Sequence, residues 1–344
     1  MTIDSLVFAV VFLSIAQAPD SRPPAAEEPA PSRRERGSLA VESFLEGWRD
    51  ETRQRDVPVK IWHPAGDGPF PVIVFSHGLG GTRDSYAYLG QHWASHGYVC
   101  VHVQHVGSDD AVWRDNPQAM QAMQRAASDR DNLINRPKDI SFSIDELTRR
   151  NAQEGWPLNS KLDLGSLGVA GHSFGAYTAL CAAGRDLVAP LGVKLEVSDP
   201  RVKAALAMSP QGHEPETKND TWSEFACPCF HMTGTKDSSP INGDSKPAER
   251  RIPYDTIDRA DQYLLILDGG THMAFSDTGL GLGRDPADHP LIQSGSTAFF
   301  DAYLRHDEQA LAWLKGGGFA AELAKNGTFE HKDAAAPRRD QTDR

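Results

Sequence analysis

The pentapeptide Gly171-His172-Ser173-Phe174-Gly175 has the form G-x-S-x-G. A serine hydroxyl attacks a carbonyl when a tight strand-to-helix turn exposes it and a base stands ready, and flanking glycines relieve the crowding in that turn. The surroundings fit this chemistry. Leu167-Gly-Val-Ala170 precedes as a buried-strand run, and Gly175, Ala176 and Ala179 follow where a helix must pack closely on a sheet. The base needs a carboxylate to fix its tautomer, and around such an elbow the chain order is Ser, acid, His. The downstream histidines are His213, His231, His272, His289, His306 and His331. His272 is best placed, because Asp268-Gly-Gly-Thr271 puts it in a loop beyond the apolar run Tyr263 to Leu267. His231 lies inside a strand run and suits a core role. Asp237, in Gly234-Thr-Lys-Asp237, follows the strand before the one that carries the histidine, whereas Asp268 and Asp277 are too near His272 in sequence. Turns favour Asp for their own reasons, so the assignment rests on the order. Ser173, His272 and Asp237 are predicted as nucleophile, base and orienting acid.

Acyl chemistry also needs donors for a developing oxyanion. The Phe174 N–H is one. The loop Ser76-His77-Gly78-Leu79-Gly80-Gly81, after the run Val72 to Phe75, supplies the other, with Leu79 N–H as candidate. A glycine-rich turn also suits phosphate, but neither the G-x-x-x-x-G-K-[ST] nor the G-x-G-x-x-G spacing is present. His77, His102 and His105 resemble a metal cluster in type, yet no further ligand repeats at coordinating spacing, so packing roles and no metal are expected. Cys227-Pro-Cys229 likewise lacks a second ligand pair; with Cys100 and Cys181 these cysteines are expected to be buried structural residues. No cofactor is implied.

The elements that must carry these residues alternate. Val59 to Trp62 is predicted as an edge strand, with Pro58 suited to an edge. Pro71 to Phe75, Tyr98 to His105, Leu167 to Ala170, Val202 to Met208, Cys229 to Met232 and Tyr263 to Leu267 are predicted as further strands. Helices are predicted over Arg83 to His96, Gln118 to Ala127, Ala176 to Ala183 and Thr297 to Leu314, and Ile140, Ile144 and Leu147 have core-facing helical spacing. This is an α/β pattern with a mostly parallel central sheet flanked by helices, whose sites form at the carboxyl ends of strands. The 344 residues, 39% hydrophobic and 24% charged, suit one such domain, and a net charge of −12 without a basic face excludes a nucleic-acid partner. Leu6 to Ala16 has the length of a signal h-region and Ala16-Gln17-Ala18 the form of a cleavage site, although the n-region holds Asp4 and no Lys or Arg. The expected organisation is a signal peptide over 1–18, a disordered Pro/Ala/Glu/Arg linker over 19–37, a catalytic domain over 38–324 and a polar tail over 325–344. An exported protein with no stable membrane insertion after signal removal follows; the oligomeric state does not.

The segments PVIVFSHGLGG, SHGYVCVHVQHVGSD, NRPKDISFSIDEL, GHSFGAYTAL and LILDGGTH resemble bacterial dienelactone-hydrolase-like esterases of the α/β-hydrolase fold. They are also similar to plasma-type platelet-activating-factor acetylhydrolases and, more distantly, to cutinase-like polyester hydrolases. The likeness runs from about Val57 to Leu314. It implies an oxyanion hole at the positions of Leu79 and Phe174. Three departures stand out. The acetylhydrolases place their acid one strand earlier, where Met208-Ser209-Pro210 offers no carboxylate. Dienelactone hydrolases use a cysteine where Ser173 stands. The polyester hydrolases carry an aromatic residue where Leu79 stands, and a Trp that has no counterpart near Pro210.

The expectation is a serine carboxylic ester hydrolase for short to medium acyl esters, acting on a small-molecule or polymeric ester through an acyl-enzyme. Alternatives are a polyester or phospholipid-type hydrolase, an amidase or peptidase, and a catalytically silent binding module. A long insertion is expected between the strand ending at His105 and the nucleophile strand, with Trp113, Met120 and Met123 as a candidate lid over 107–164. His77, Gly78, His172 and Trp113 are candidate substrate contacts, and the Gly279 to Gly283 loop a candidate pocket border.

Overall fold

Valine and isoleucine in unbroken runs stand in a sheet covered on both faces, and such runs make the centre of this one. In a computed structural model of the chain, residues 33–189, 192–211, 219–239, 241, 246–277 and 286–335 are described. Strands β1 (Val41–Asp50), β2 (Arg55–Pro64), β3 (Phe70–Ser76), β4 (Val99–Val103), β5 (Leu162–His172), β8 (Val202–Met208), β9 (Cys229–Lys236), β10 (Gln262–Thr271) and β11 (Gly327–Lys332) form a nine-stranded sheet in the order β1-β2-β4-β3-β5-β8-β9-β10-β11. Strands β4 through β10 run parallel, while β1, β2 and β11 pair antiparallel. Two short strands, β6 (Leu187–Ala189) and β7 (Val193–Leu195), pair apart from this sheet. The α/β-hydrolase fold expected from the sequence is what the chain adopts.

Two apolar layers cover the sheet. One face holds Ile73, Phe75, Leu206, Phe230 and Tyr263 against α1 (Ala87–Ser95) and α6 (His289–Leu304), with Trp93, Phe299 and Phe300 from the helices. The other holds Val72, Val74, Val101 and Val169 against α3 (Arg130–Asn151) and α4 (Phe174–Ala182), with Ile140, Ile144 and Leu147 of α3 fully buried as their spacing predicts. Pro137 sits inside α3 and cannot donate to Leu133 C=O; Tyr177 Oη donates to that carbonyl instead, at 3.3 Å. All four cysteines are buried and free. Among the described residues no helix is long and apolar enough to cross a membrane, and no group of His, Cys, Asp or Glu is arranged to hold a metal.

Several boundaries differ from expectation. β2 is an interior strand, because β1, concealed in the sequence by apolar residues that do not alternate (Val41, Phe44, Leu45 and Trp48), covers its outer side through Gly47↔Pro58 and its neighbours. The predicted closing helix over Thr297 to Leu314 is two helices, α6 and α7 (Glu308–Lys315), broken where Asp307 caps the N-terminus of α7 through Gln309 and Ala310 N–H. Residues 325–344 are not wholly a tail, since β11 pairs with β10 at residues 327–332 and only 336–344 lie outside the described residues. Similarly, residues 33–37 are no free linker. Arg33 pairs with Asp301 at 2.7 Å and Asp307 at 2.8 Å, and Gly37 N–H donates to Ser95 Oγ. The signal segment, linker residues 19–32 and the 279–283 loop lie outside the described residues. Between β4 and β5, α3 is a sheet-packing helix; α2 (Ala119–Ser128) lies beside it, with Met120 exposed.

Several buried imidazoles give the fold a pH dependence. Burial pushes His92 and His105 down to about 3 and His102 and His231 down to about 4. Each is neutral when folded and takes up a proton on unfolding below about pH 6.5, so their contribution is complete above that pH and is lost as pH falls. At pH 5 the loss is on the order of 2 kcal/mol per histidine, and all four act in the same direction. Cooperative loss of tertiary circular dichroism is therefore expected between about pH 5 and 4. A native spectrum at pH 3.5 would contradict the neutral-histidine account.

Candidate active site

Four strand ends converge. β5 ends at His172 and hands directly to Ser173, whose φ of 56° and ψ of −115° make the strained turn that an exposed nucleophile requires. Ser173 N–H is held by Met208 C=O at 2.9 Å. The flanking glycines are dictated by backbone approach. A Cβ on Gly175 would stand 1.9 Å from Ser76 O, and one on Gly171 2.2 Å from Gly175 O. Asp237, fully buried, follows the last residue of β9, and His272 follows the last residue of β10.

Ser173 Oγ lies 2.9 Å from His272 Nε2, and His272 Nδ1 lies 2.8 Å from Asp237 Oδ1. Thr233 Oγ1 donates to the other carboxylate oxygen at 2.8 Å. Burial alone would raise the Asp237 pKa, but the hydrogen bond and charge of His272 and the nearby Arg250 hold it well below the usual carboxylate range. The acid therefore stays ionised, fixes the proton on Nδ1 and leaves Nε2 free to accept the serine proton. The rejected carboxylates have other work: Asp277 accepts Tyr86 and Tyr88 N–H, and Asp268 faces Thr235.

The loop after β3 lies beside the elbow because β3 and β5 are neighbours in register, Ser76↔Gly171. Among the described residues neither Leu79 N–H nor Phe174 N–H has an acceptor, so both can donate to a group bound beside Ser173. Gly80, at φ +75°, turns the loop, and its N–H is held by Ser108 C=O at 2.8 Å. Trp113 and Met123 close over Gly80, and the indole N–H of Trp113 donates to Gly80 C=O at 2.8 Å while the ring stays 41% exposed.

Two candidate substrate contacts are displaced. His77 is buried, with Nδ1 donating to Gly78 C=O at 2.6 Å and Nε2 accepting His105 N–H at 3.0 Å. His172 is buried too, accepting Tyr86 Oη–H on Nδ1 at 2.7 Å and donating from Nε2 to His272 C=O at 2.9 Å. Both rings are consumed in positioning the loop and the base. Gly78 packs against Tyr86 and His172 and is likewise framework.

Three contributors escape a sequence reading. Arg250 is buried behind the triad: its guanidinium lies 3.4 Å from both Asp237 Oδ1 and His272 Nδ1, and donates to Ser209 and Pro210 C=O at 3.3 and 3.1 Å. No local pattern separates it from Arg251, which pairs with Asp255 and Glu330. The second is Tyr86, which orients His172. The third is a second Ser-His-Asp array, Ser76 Oγ to His105 Nε2 and His105 Nδ1 to Asp139, both at 2.9 Å. With all three residues fully buried it has no access to substrate, and it braces the loop that carries Leu79.

Comparison with known proteins shows what the chain as a whole is similar to. The family described as platelet-activating factor acetylhydrolase, isoform II, matches residues 55–138, from β2 through the loop after β3 into α3. The chain is 25% identical to Cutinase est1 of Thermobifida alba over 224 residues, 65% of this chain and 60% of that protein. It is 26% identical to Cutinase 1 of Thermobifida cellulosilytica over 215 residues, 62% of this chain and 64% of that protein. A bis(hydroxyethyl) terephthalate hydrolase of Streptomyces coelicolor is 25% identical over 286 residues, 79% of this chain and 75% of that protein. The chain thus spans about 60% of the length of the first of these relatives.

Proposed function

We propose that this chain, an α/β-hydrolase-fold protein similar to cutinases and to a terephthalate-ester hydrolase, is a serine carboxylic ester hydrolase. The observation that carries the reading is the continuous Ser173–His272–Asp237 chain at 2.9 and 2.8 Å, beside two unpartnered amides. In this reading Ser173 Oγ attacks the acyl carbonyl as its proton passes to His272 Nε2. The carbonyl electron pair becomes an oxyanion between Leu79 and Phe174 N–H. Collapse expels the alcohol, which leaves with the proton from His272, and water repeats the sequence on the acyl-enzyme. No cofactor takes part.

Short to medium acyl chains are the proposed substrates, delivered past Trp113. The names of the relatives favour a second group, aromatic diesters and polyesters. Export is part of the reading, supported by the Leu6 to Ala16 run and the Ala16-Gln17-Ala18 site. The test is turnover of p-nitrophenyl esters from acetate to palmitate and of bis(hydroxyethyl) terephthalate, with fluorophosphonate labelling of Ser173 in parallel. Labelling with turnover that peaks at short chains is expected. Folded protein that neither labels nor turns over any ester would leave the binding-module reading in its place; turnover of amides in preference to esters would make it an amidase.

A further inference from the structure

Resting on that reading, we propose that Arg136 is a positioning residue for catalysis: a buried cation that locks both oxyanion donors and stabilises the charge that develops between them. Arg136 is 0% exposed, and no carboxylate among the described residues pairs with it. Its neighbour one turn along α3, Asp139, is already engaged by Arg53, Arg55 and His105, while Asp109 accepts from Gln104. A buried, unpaired guanidinium costs several kcal/mol that an apolar side chain of similar volume would not, so packing alone gives no reason for it.

Its contacts supply one. Nη2 donates to His77 C=O and, at 3.0 Å, to Ser76 Oγ, gripping the peptide that leads into Leu79 from the near side. Nη1 donates to Ser108 Oγ at 2.8 Å, and the carbonyl of Ser108 holds Gly80 N–H, so the peptide beyond Leu79 is gripped as well. Nε donates to Thr178 Oγ1 at 2.9 Å, and that hydroxyl donates to Phe174 C=O at 2.9 Å. The guanidinium also stacks 4.4 Å from the Phe174 ring. One side chain therefore ties the Leu79 loop to the Phe174 turn, and its direct acceptors are neutral; Asp139 and Asp109 offset its charge only through space, so no contact neutralises it in the buried region beside the two donors. Fixed charge of that kind stabilises a transition-state anion without reorganising. A bound ester carries no full charge there, so binding of the ground state is little affected.

The test compares wild type, Arg136→Met and Arg136→Lys by steady-state kinetics, active-site titration with a fluorophosphonate, and affinity for an alkyl trifluoromethyl ketone. Ser173 Oγ adds to that ketone's carbonyl carbon, its proton moves to His272, and the carbonyl pair becomes a hemiketal oxyanion. For Arg136→Met, kcat per titrated site is expected to fall about 100-fold, the size of losing one oxyanion donor, with KM changed less than about threefold. Ketone affinity is expected to weaken by the same factor as kcat/KM. Arg136→Lys keeps the charge without the fork and is expected to recover about tenfold. Unchanged kcat per titrated site, with fewer sites, would reduce Arg136 to a structural residue and overturn the proposal. So would a fall in kcat without a fall in ketone affinity. Should Arg136→Met not fold, Arg136→Lys carries the same test at about a tenfold deficit. Failure of wild type itself to label or turn over esters would sink the esterase reading and is seen before any variant is compared.

Discussion

Replacing Ser173 with alanine is expected to lower kcat for p-nitrophenyl butyrate by on the order of 10⁵ to 10⁶, with KM nearly unchanged. The loss is this large because nothing else at the strand ends can take over the attack. The array at Ser76 has the same residue types and the same spacing of hydrogen bonds, but it is sealed and its hydroxyl is held by Arg136. The residue of activity, on the order of 10³ over water, would come from the oxyanion donors acting on direct water attack. Stability should stay within about 1 kcal/mol of wild type, since alanine keeps the Cβ and the positive φ while losing only a partly exposed hydroxyl. Purified Ser173→Ala, checked by circular dichroism and by loss of fluorophosphonate labelling, decides the matter. Turnover above about one part in 10³ of wild type that withstands repurification would mean that another group attacks.

How far the site was legible follows from where its determinants lie in the chain. Ser173 announces itself because its turn is local: two glycines, a strand before and a helix after are all within ten residues, and each is forced by contacts such as Gly175 with Ser76 O. His272 and Asp237 could be predicted from order alone, because parallel strands deliver successive carboxyl ends to one rim. What that logic cannot supply is the depth of a side chain. His172 neighbours Ser173 in sequence and His77 lies in the adjoining loop after β3, yet both point inward, because Tyr86, His105 N–H and the carbonyls of Gly78 and His272 claim their nitrogens. Arg136 and Arg250 are the reverse case: charged residues normally taken for surface, drawn inside by carbonyls and hydroxyls, from Ser76, His77, Ser108 and Thr178 for the first and from Ser209, Pro210 and Asp237 for the second. The outer strands were obscure for another reason. β1 and β11 are bordered by solvent and carry polar residues such as Glu42, Glu46 and Glu330; β1 gains its identity from a hairpin with β2, and β11 from pairing with β10 across a long sequence distance.

Asp237→Asn is expected to lower kcat by about 10⁴ and, unlike Ser173→Ala, to weaken the fold. The kinetic effect has a local cause. An amide can present its N–H₂ to His272 Nδ1, which favours the tautomer with the proton on Nε2, and that tautomer cannot accept from Ser173. The effect on stability comes from Arg250. With Asp237 ionised, the buried guanidinium faces an anion at 3.4 Å, whereas with asparagine it keeps only the carbonyls of Asp237, Ser209 and Pro210. Removing one partner of a buried pair typically costs about 3 kcal/mol, and thermal unfolding should shift down by several degrees. The two effects separate in the double variant Asp237→Asn with Arg250→Met. Removing the stranded cation is expected to return most of the lost stability, while activity stays as low as in Asp237→Asn, because no carboxylate fixes the imidazole. Recovery of activity in the double variant would mean that Arg250, rather than the lost carboxylate, blocks the base. Asp237→Asn within tenfold of wild type would require a different acid, and Asp268 and Asp277 are already committed to Thr235 and to the Tyr86 and Tyr88 amides.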